Sequence, residues 1–587
     1  RQAKRVEVPF TAIAPRDGEM WSRNSAEDLQ APIGRMGATR LQSMRLGRGV
    51  AQHALIAGKT GSGKSTLLHV MVTNLALWYS PQEVEFYLVD FKKGVEFKAY
   101  ATHQLPHARA IAVESDREFG LSVLQRVDAE LTRRGELFRK AGVQDLASYR
   151  SLPDAQPMPR TLLIIDEFQE FFSEDDRLAQ EAGLLLDRLV RQGRAFGVHV
   201  LLGSQTISGA SGLARSTLGQ MAIRIALQTS EADSQLILGD NNSAARLLSR
   251  PGEAIYNDAG GLVEGNSPFQ VAWLSDVERE RYLAQVREAA DRAGVRMPPP
   301  IVFEGNVPAD IRANELLAGA LSQPPSGVPV APRAWLGEPV AIKEPTSVTF
   351  RRQSGANLLI VGQQEELAMA LMAASVTSLA AQYPRDGVRF VVLDGSPADS
   401  PLAQVLPRLR EVIPHAIELV EYRAAGTAIE ELAATLQARQ DSHDVGPAVY
   451  LLVYGLQRYR VLRKSEDAFS FSMGGDEGKP ADPGRLFADL LRDGPPVGMH
   501  VIGWADTNAS MERTLDRGSM REFDHRVLFQ MSATDSSNLI DSPAANKLGP
   551  NRALAYSEEQ GMMEKFRPYG LPDAGWLELV RERLKNR

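Results

Sequence analysis

The sequence predicts an α/β fold built twice in tandem, each half a parallel sheet flanked by helices, and three observations predict it. Short apolar runs bounded by turn residues (HALIAG, VEFYLVD, RTLLIIDEF, GVHVLLGSQ) alternate with longer segments of helical period, such as Ser65 to Tyr79 and Arg117 to Ala141. Continuous rather than alternating apolar runs are what strands buried on both faces require. An internal register then repeats the punctuation of the first half in the second: Gly362 falls on Gly58 and Asp394 on Asp90, both at 362 − 58 = 394 − 90 = 304. Further on, His500 pairs with His199 and Arg526 with Arg224 at offsets of 301 and 302. Finally, Pro clusters in RMPPPIVFEG and LSQPPSGVPVAPRAW read as a linker between the halves. The expected organisation is a lead-in over 1–50, a first domain over 51–295, a Pro-rich linker over 296–335 and a second domain over 336–587.

At 587 residues the chain is longer than one core usually serves, which fits two large domains. With 43% hydrophobic and 24% charged residues it has the composition of a soluble globular protein. The net charge of −7, from 66 basic and 73 acidic residues, gives no global field for a polyanion or an anionic membrane, so any such contact is local. The absence of cysteine excludes disulfides and thiolate metal sites. There is no apolar run of 18 residues and no signal-peptide pattern. The expectation is a cytoplasmic location without direct membrane insertion of this stretch, with a tether through a segment before Arg1 as the remaining route to a membrane.

GKTGSGKS, from Gly58 to Ser65, fits the phosphate-loop pattern G-x-x-x-x-G-K-[ST] and lies between an apolar strand and a helical segment. Glycines allow the backbone to wrap around phosphates with its N–H groups inward, and the following helix adds the positive end of its dipole. The expected nucleotide contacts are Gly58, Lys59, Thr60, Gly61, Ser62, Gly63, Lys64, Ser65 and Thr66. Lys64 would neutralise the β and γ phosphates, and the Ser65 hydroxyl would hold Mg²⁺. RTLLIIDEF supplies a buried strand ending in two acids: Asp166 for the Mg²⁺ side, and Glu167 to orient and deprotonate the attacking water. A strand ending in solvated carboxylates is common, and the upstream phosphate loop is what gives this pair its meaning. Gln205, at the end of GVHVLLGSQ, is placed to sense the γ-phosphate. ATP and Mg²⁺ are the cofactors these residues imply.

Together with these motifs, PIGRMG, VDFKKGVEF, LPHA, ELTRRGELFRKAGVQDLASY, GRAFGVHVLLGSQ, IRIALQTSEADSQLILG and RPGEAIY make residues 30–260 resemble the FtsK/SpoIIIE family of ring-forming P-loop ATPases. The resemblance implies tandem RecA-like domains, a homo-oligomeric, hexameric ring with ATP between neighbours, and an arginine finger acting on the next chain's site. Carried over by motif, that finger is Arg194 in GRAFGVHV; read from the residue alone, it is an arginine ahead of a strand. The second half carries the fold pattern without the site. In the 304 register Gly63, Lys64 and Ser65 become Leu367, Ala368 and Met369. Laying YLLVYGLQ on LLIIDEFQ assigns Gly455 and Leu456 to the places of Asp166 and Glu167, and Pro495 falls opposite Arg194. The stretch 463–485 reads as an insert without chemistry.

Two cargoes follow from the family. Double-stranded DNA is the first expectation, with Lys92, Lys93 and Arg215 as candidate phosphate contacts in the pore. The alternative is protein export with secretion partners, as in type VII secretion motors, which resemble this chain in their tandem, partly decayed ATPase domains. A third reading, an ATP-switched scaffold, is disfavoured by the complete Asp166–Glu167 pair.

Overall fold

The computed structural model describes residues 7–92, 97–206, 213, 215–442, 446–463 and 482–585. The chain divides into two compact units, Arg1–Gly305 and Asn306–Arg587. Among the described residues the first unit has one sheet, whose strands follow in space as Ile301–Glu304, Ala108–Val113, Val84–Asp90, Arg160–Asp166, Val198–Ser204, Ala54–Ala57, Ile223–Ala226, Glu253–Asn257, Ser267–Trp273, Leu29–Met36 and Arg40–Leu46. The second unit's sheet runs Ala416–Val420, Val388–Asp394, Ala448–Tyr454, Met499–Ala505, Leu358–Val361, His525–Leu528, Ala553–Ser557, Met562–Pro568, Arg333–Pro339 and Thr346–Thr349. Omitting the edge strand Ile301–Glu304, the two orders correspond strand for strand.

The agreement extends to buried polar bonds. His199 and His500 each place Nδ1 at hydrogen-bond distance from a backbone carbonyl, that of Gln52 at 2.9 Å and that of Ala356 at 2.7 Å. Arg224 donates to the carbonyls of Met221, Ile237 and Leu218, and Arg526 to those of Phe523, Leu539 and Met520. Each arginine thereby closes the end of a short helix onto the strand that carries it. The two halves are one fold, and what keeps the repeat is the pairing of buried carbonyls, which would otherwise be left unsatisfied.

The sheet is mixed rather than wholly parallel. From Ala108–Val113 across to Ile223–Ala226 every neighbouring pair is parallel, and from there to Arg40–Leu46 every pair is antiparallel. The residues expected as a lead-in supply part of that antiparallel region, the hairpin of Leu29–Met36 and Arg40–Leu46, and Val8–Pro9 pairs in parallel with Ala272 and Trp273 at its side. Arg40–Leu46 alternates buried with more exposed residues, and Leu29–Met36 carries Gln30, Pro32, Gly34 and Arg35, so the apolar-run criterion passes over both. The expected linker 296–335 is likewise divided between the units. Ile301–Glu304 is an edge strand of the first sheet, and Glu315–Ser322 is a helix that buries Leu317 and Leu321 in the second core. Two helices dominate the centres of the units, Lys64–Trp78 and Glu365–Ala380, both buried around nearly their whole circumference. Among the described residues no helix is long and apolar enough to cross a membrane.

Replacing Arg224 by Met keeps the aliphatic stem and strands three buried carbonyls. The expected loss is about 3 kcal/mol, read as a lowered urea midpoint of the full chain, with Arg526→Met giving a similar loss.

Candidate nucleotide site

Strand Ala54–Ala57 ends at the loop Gly58–Gly63, and helix Lys64–Trp78 begins immediately after it. Gly61 and Gly63 hold φ of 79° and 100°, the left-handed region that lets the chain fold back over the helix N-terminus. The loop is tied at both flanks. The Gly252 N–H donates to the Ser62 carbonyl at 2.8 Å, and the Lys59 N–H to the Gln228 carbonyl at 2.9 Å. A cleft of about 250 Å³ opens over the loop; Lys59, Thr60, Lys64, Ser65 and Thr66 line one side. Pro251, Gly252 and the strand end Gln270–Trp273 form the opposite wall.

Lys64 is buried, and its ammonium sits between two buried carboxylates. Nζ donates to Asp166 Oδ1 in a short contact and to Glu167 Oε1 at 2.8 Å. Burial works against the charged ammonium, but the two carboxylates outweigh it and hold the Lys64 pKa above its ordinary value. Burial pushes the Asp166 carboxyl up against the pull of Lys64. For Glu167, burial is outweighed by Lys64 and by bonds from Gln169 and the Gln205 backbone, so its pKa lies below the usual range. One cation between two anions leaves a buried excess of negative charge, a place for a divalent cation accompanying a polyphosphate.

The oxygen donors fit Mg²⁺. Asp166 is a carboxylate at the strand end, Ser65 places its hydroxyl on the cleft, and hard oxygen ligands completed by phosphates are what this ion takes. The structure also keeps space there: on the adjacent strand a Cβ at Gly203 would lie 2.6 Å from Asp166 Oδ1. When bound, the ion would supply positive charge to the β and γ phosphate oxygens.

Glu167 has φ of 54°, a strained value for a side-chain-bearing residue, and caps the turn Phe168–Phe172. Its carboxylate meets the Lys64 ammonium. Gln205 lies on the cleft as expected: its side-chain carbonyl accepts from Thr60 Oγ1 at 2.8 Å, while its backbone N–H donates to Glu167 Oε2 at 3.1 Å. Lys92 lines the nucleotide cleft, Arg215 opens the short helix Arg215–Gly219, and Lys93 falls outside the described residues. Arg194 sits exposed in the last turn of helix Arg177–Phe196, just ahead of strand Val198–Ser204. That strand ends at the phosphate loop, so its seven residues put Arg194 roughly 20 Å away, at the opposite end of the sheet. Arg194 does not reach its own chain's cleft. The neutral residues Gln169, Gly203, Gly252 and Gln270 were not singled out by the sequence reading; RPGEAIY marked the Gly252 segment only as a point of likeness.

Residues 23–209, which carry this loop, the Asp166–Glu167 strand and Gln205, match the family model described as FtsK/SpoIIIE family. Over these residues the first unit is similar to the FtsK/SpoIIIE family. Curated relatives fall into two groups. The ESX-5 secretion system protein EccC5 of Mycobacterium marinum is 24% identical over 84% of this chain and 41% of its own length. The DNA translocase FtsK of Streptococcus pyogenes is 29% identical over 49% of this chain and 36% of its own length. The chain thus spans less than half the length of these relatives. Among solved structures, the cytoplasmic domain of the Thermomonospora curvata type VII secretion ATPase EccC matches 99% of this chain and 70% of its own, at 21% identity and a TM-score of 0.61. ATPases 2 and 3 of the same protein, in complex with a signal sequence peptide, match 97% of this chain and 99% of their own, at 19% identity and a TM-score of 0.52. At these identities the structural likeness establishes the fold, a tandem pair of RecA-like domains.

The second unit fills the equivalent place with its own side chains. Its helix begins at Glu365, three positions before the counterpart of Lys64, so helix takes over half of the loop's six positions. The acid pair corresponds to Tyr454 and Gly455, not to Gly455 and Leu456: Tyr454 stands opposite Asp394 in the ladder as Asp166 stands opposite Asp90, and Gly455 (φ 88°) caps the next turn as Glu167 does. Tyr454 stacks on Trp504 with centroids 4.5 Å apart. Arg458 then binds Glu365 Oε1 at 2.8 Å and the Gly395 carbonyl at 2.7 Å. An aromatic pair and an acidic helix start occupy the ground that Asp166 and the phosphate-loop glycines hold in the first unit. Residues 464–481, the bulk of the expected insert, lie outside the described residues.

Gly203→Ala is expected to raise at least tenfold the Mg²⁺ concentration needed for half-maximal turnover, since its methyl group crowds Asp166, while metal-free ATP affinity stays unchanged in a fluorescent-nucleotide titration.

Proposed function

We propose that the first unit hydrolyses ATP and that the chain works as an oligomeric motor on a polypeptide substrate. The observation that carries the hydrolytic reading is the buried Glu167 carboxylate, anchored at one oxygen and engaged by Lys64 at the other, beside a complete phosphate loop. Incoming β and γ phosphates compete for the Lys64 ammonium and draw it off the carboxylates. Ser65 and Asp166 take the Mg²⁺ side. Glu167 Oε1, freed from Lys64, accepts a proton from the water whose oxygen bonds to the γ-phosphorus as the bond from that phosphorus to the β–γ bridging oxygen breaks, so ADP leaves with the bridging oxygen and inorganic phosphate is released; Gln205, next to Thr60, bounds that water's position. Arg194, remote from its own cleft, is assigned to a neighbouring chain's site in a hexameric ring, where a guanidinium offsets charge developing on the transferred phosphoryl group.

Polypeptide is favoured over DNA because the likeness to a secretion system protein runs through both units, whereas that to a DNA translocase covers about half the chain. The solved tandem pair that this fold covers almost end to end was bound to a signal sequence peptide. The acidic balance of the chain also gives duplex DNA no general attraction.

Glu167→Gln is expected to lower kcat by about 10²–10⁴-fold with ATP still bound; undiminished turnover removes the assignment. Arg194→Ala is expected to lose about 10³-fold in kcat, and mixing it with Lys64→Ala chains should restore part of the rate, which a finger acting within its own chain would not allow. Wild-type turnover should rise more steeply than linearly with chain concentration and ignore long linear duplex DNA. Stimulation by DNA that fades with salt would return the cargo to DNA.

A further inference from the structure

Glu167 has two oxygens with different partners. Oε1 meets the Lys64 ammonium at 2.8 Å. Oε2 accepts from Gln169 Nε2 at 2.8 Å and from the Gln205 backbone N–H at 3.1 Å. Gln169 is half-buried in the turn that follows the acid pair, and its own carbonyl Oε1 accepts from the Ser204 hydroxyl at 2.8 Å. The amide is therefore bridged between the carboxylate and the neighbouring strand end. Turning it over would set its carbonyl against Oε2, so the carboxylate fixes which way it points.

We propose that Gln169 is a positioning residue for hydrolysis: it pins Oε2 of Glu167 to strand Val198–Ser204 so that Oε1 alone faces the attacking water once Lys64 turns to phosphate. Gln169 has no part in the expected nucleotide contacts and does not line the cleft. Its effect passes through Glu167, whose strained backbone at φ 54° needs a holding partner that survives the departure of Lys64. The Gln205 N–H is one such partner and is fixed in the backbone; Gln169 is the one a substitution can remove. Without Gln169, Oε2 keeps only the Gln205 N–H and the carboxylate is free to turn about it, so the attacking water loses its fixed acceptor while the phosphate loop keeps its own bonds.

The inference rests on the hydrolytic reading of Glu167, and the test separates the two. Steady-state turnover of the full chain is measured for wild type, Gln169→Leu, Gln169→Glu and Glu167→Gln, with ATP affinity from a fluorescent-nucleotide titration. Gln169→Leu should lower kcat at least tenfold while KM and ATP affinity stay within twofold of wild type. Gln169→Glu should lose more, since a second carboxylate faces Oε2. Unchanged kcat in Gln169→Leu, with Glu167→Gln inactive, overturns the positioning role alone. A fall in ATP affinity that accompanies the fall in kcat also overturns it, because that is the mark of a structural part of the loop. Full turnover by Glu167→Gln overturns both.

Discussion

One buried ammonium between two buried carboxylates organises the first unit. Lys64 begins the central helix, and Asp166 ends a strand separated by Val198–Ser204 from the strand that leads into the loop, so their ion pair ties the phosphate loop to that strand end across the one between. Stripped of one partner, such a cluster would leave an uncompensated charge out of water, a cost of about 3–5 kcal/mol. On the proposed mechanism, phosphate and metal would relieve that cost, with oxygens of the nucleotide in place of Lys64's carboxylates and a cation beside Asp166. Binding and readiness of the base would then be one event: the shift that grips phosphate would uncover Glu167 Oε1.

The second unit shows what the fold does without that cluster. Its sheet keeps the strand order, the buried histidine and the carbonyl-capping arginine, all of which serve packing. At the site itself, neutral aromatic burial and one arginine–glutamate pair take the place of three charges that only a nucleotide could satisfy. Replacing a buried ionic cluster by packed rings is energetically easy, which is why a domain can shed its chemistry and keep its shape.

Much of this was legible in the sequence, and for identifiable reasons. The phosphate loop is local: strand, glycines, lysine and helix follow one another, so pattern and geometry coincide. Asp166 and Glu167 were legible because charge at the end of a buried run is costly and conspicuous. The repeat was legible because the spacing from glycine to aspartate is kept. Gln169 and Gly203 were not, because they are neutral and acquire meaning only when two strand ends come side by side. Of the hairpin, Arg40–Leu46 hid behind half-exposed alternation and Leu29–Met36 behind its interspersed Gln, Pro, Gly and Arg, and Ile301–Glu304 hid behind flanking prolines. The assignment of Gly455 and Leu456 to the acid pair was one residue out: letter for letter, YLLVYGLQ over LLIIDEFQ sets Tyr454 on Asp166, as the ladder opposite Asp394 does.

The central claim is that the chain carries one nucleotide site, in the first unit, and that the second is closed by its own side chains. The measurement that addresses it most directly is the stoichiometry of a non-hydrolysable ATP analogue with Mg²⁺, by equilibrium titration of the full chain and of Lys64→Ala. One analogue per chain in wild type and none in Lys64→Ala is the predicted result. Two per chain, or one persisting in Lys64→Ala, would contradict the account.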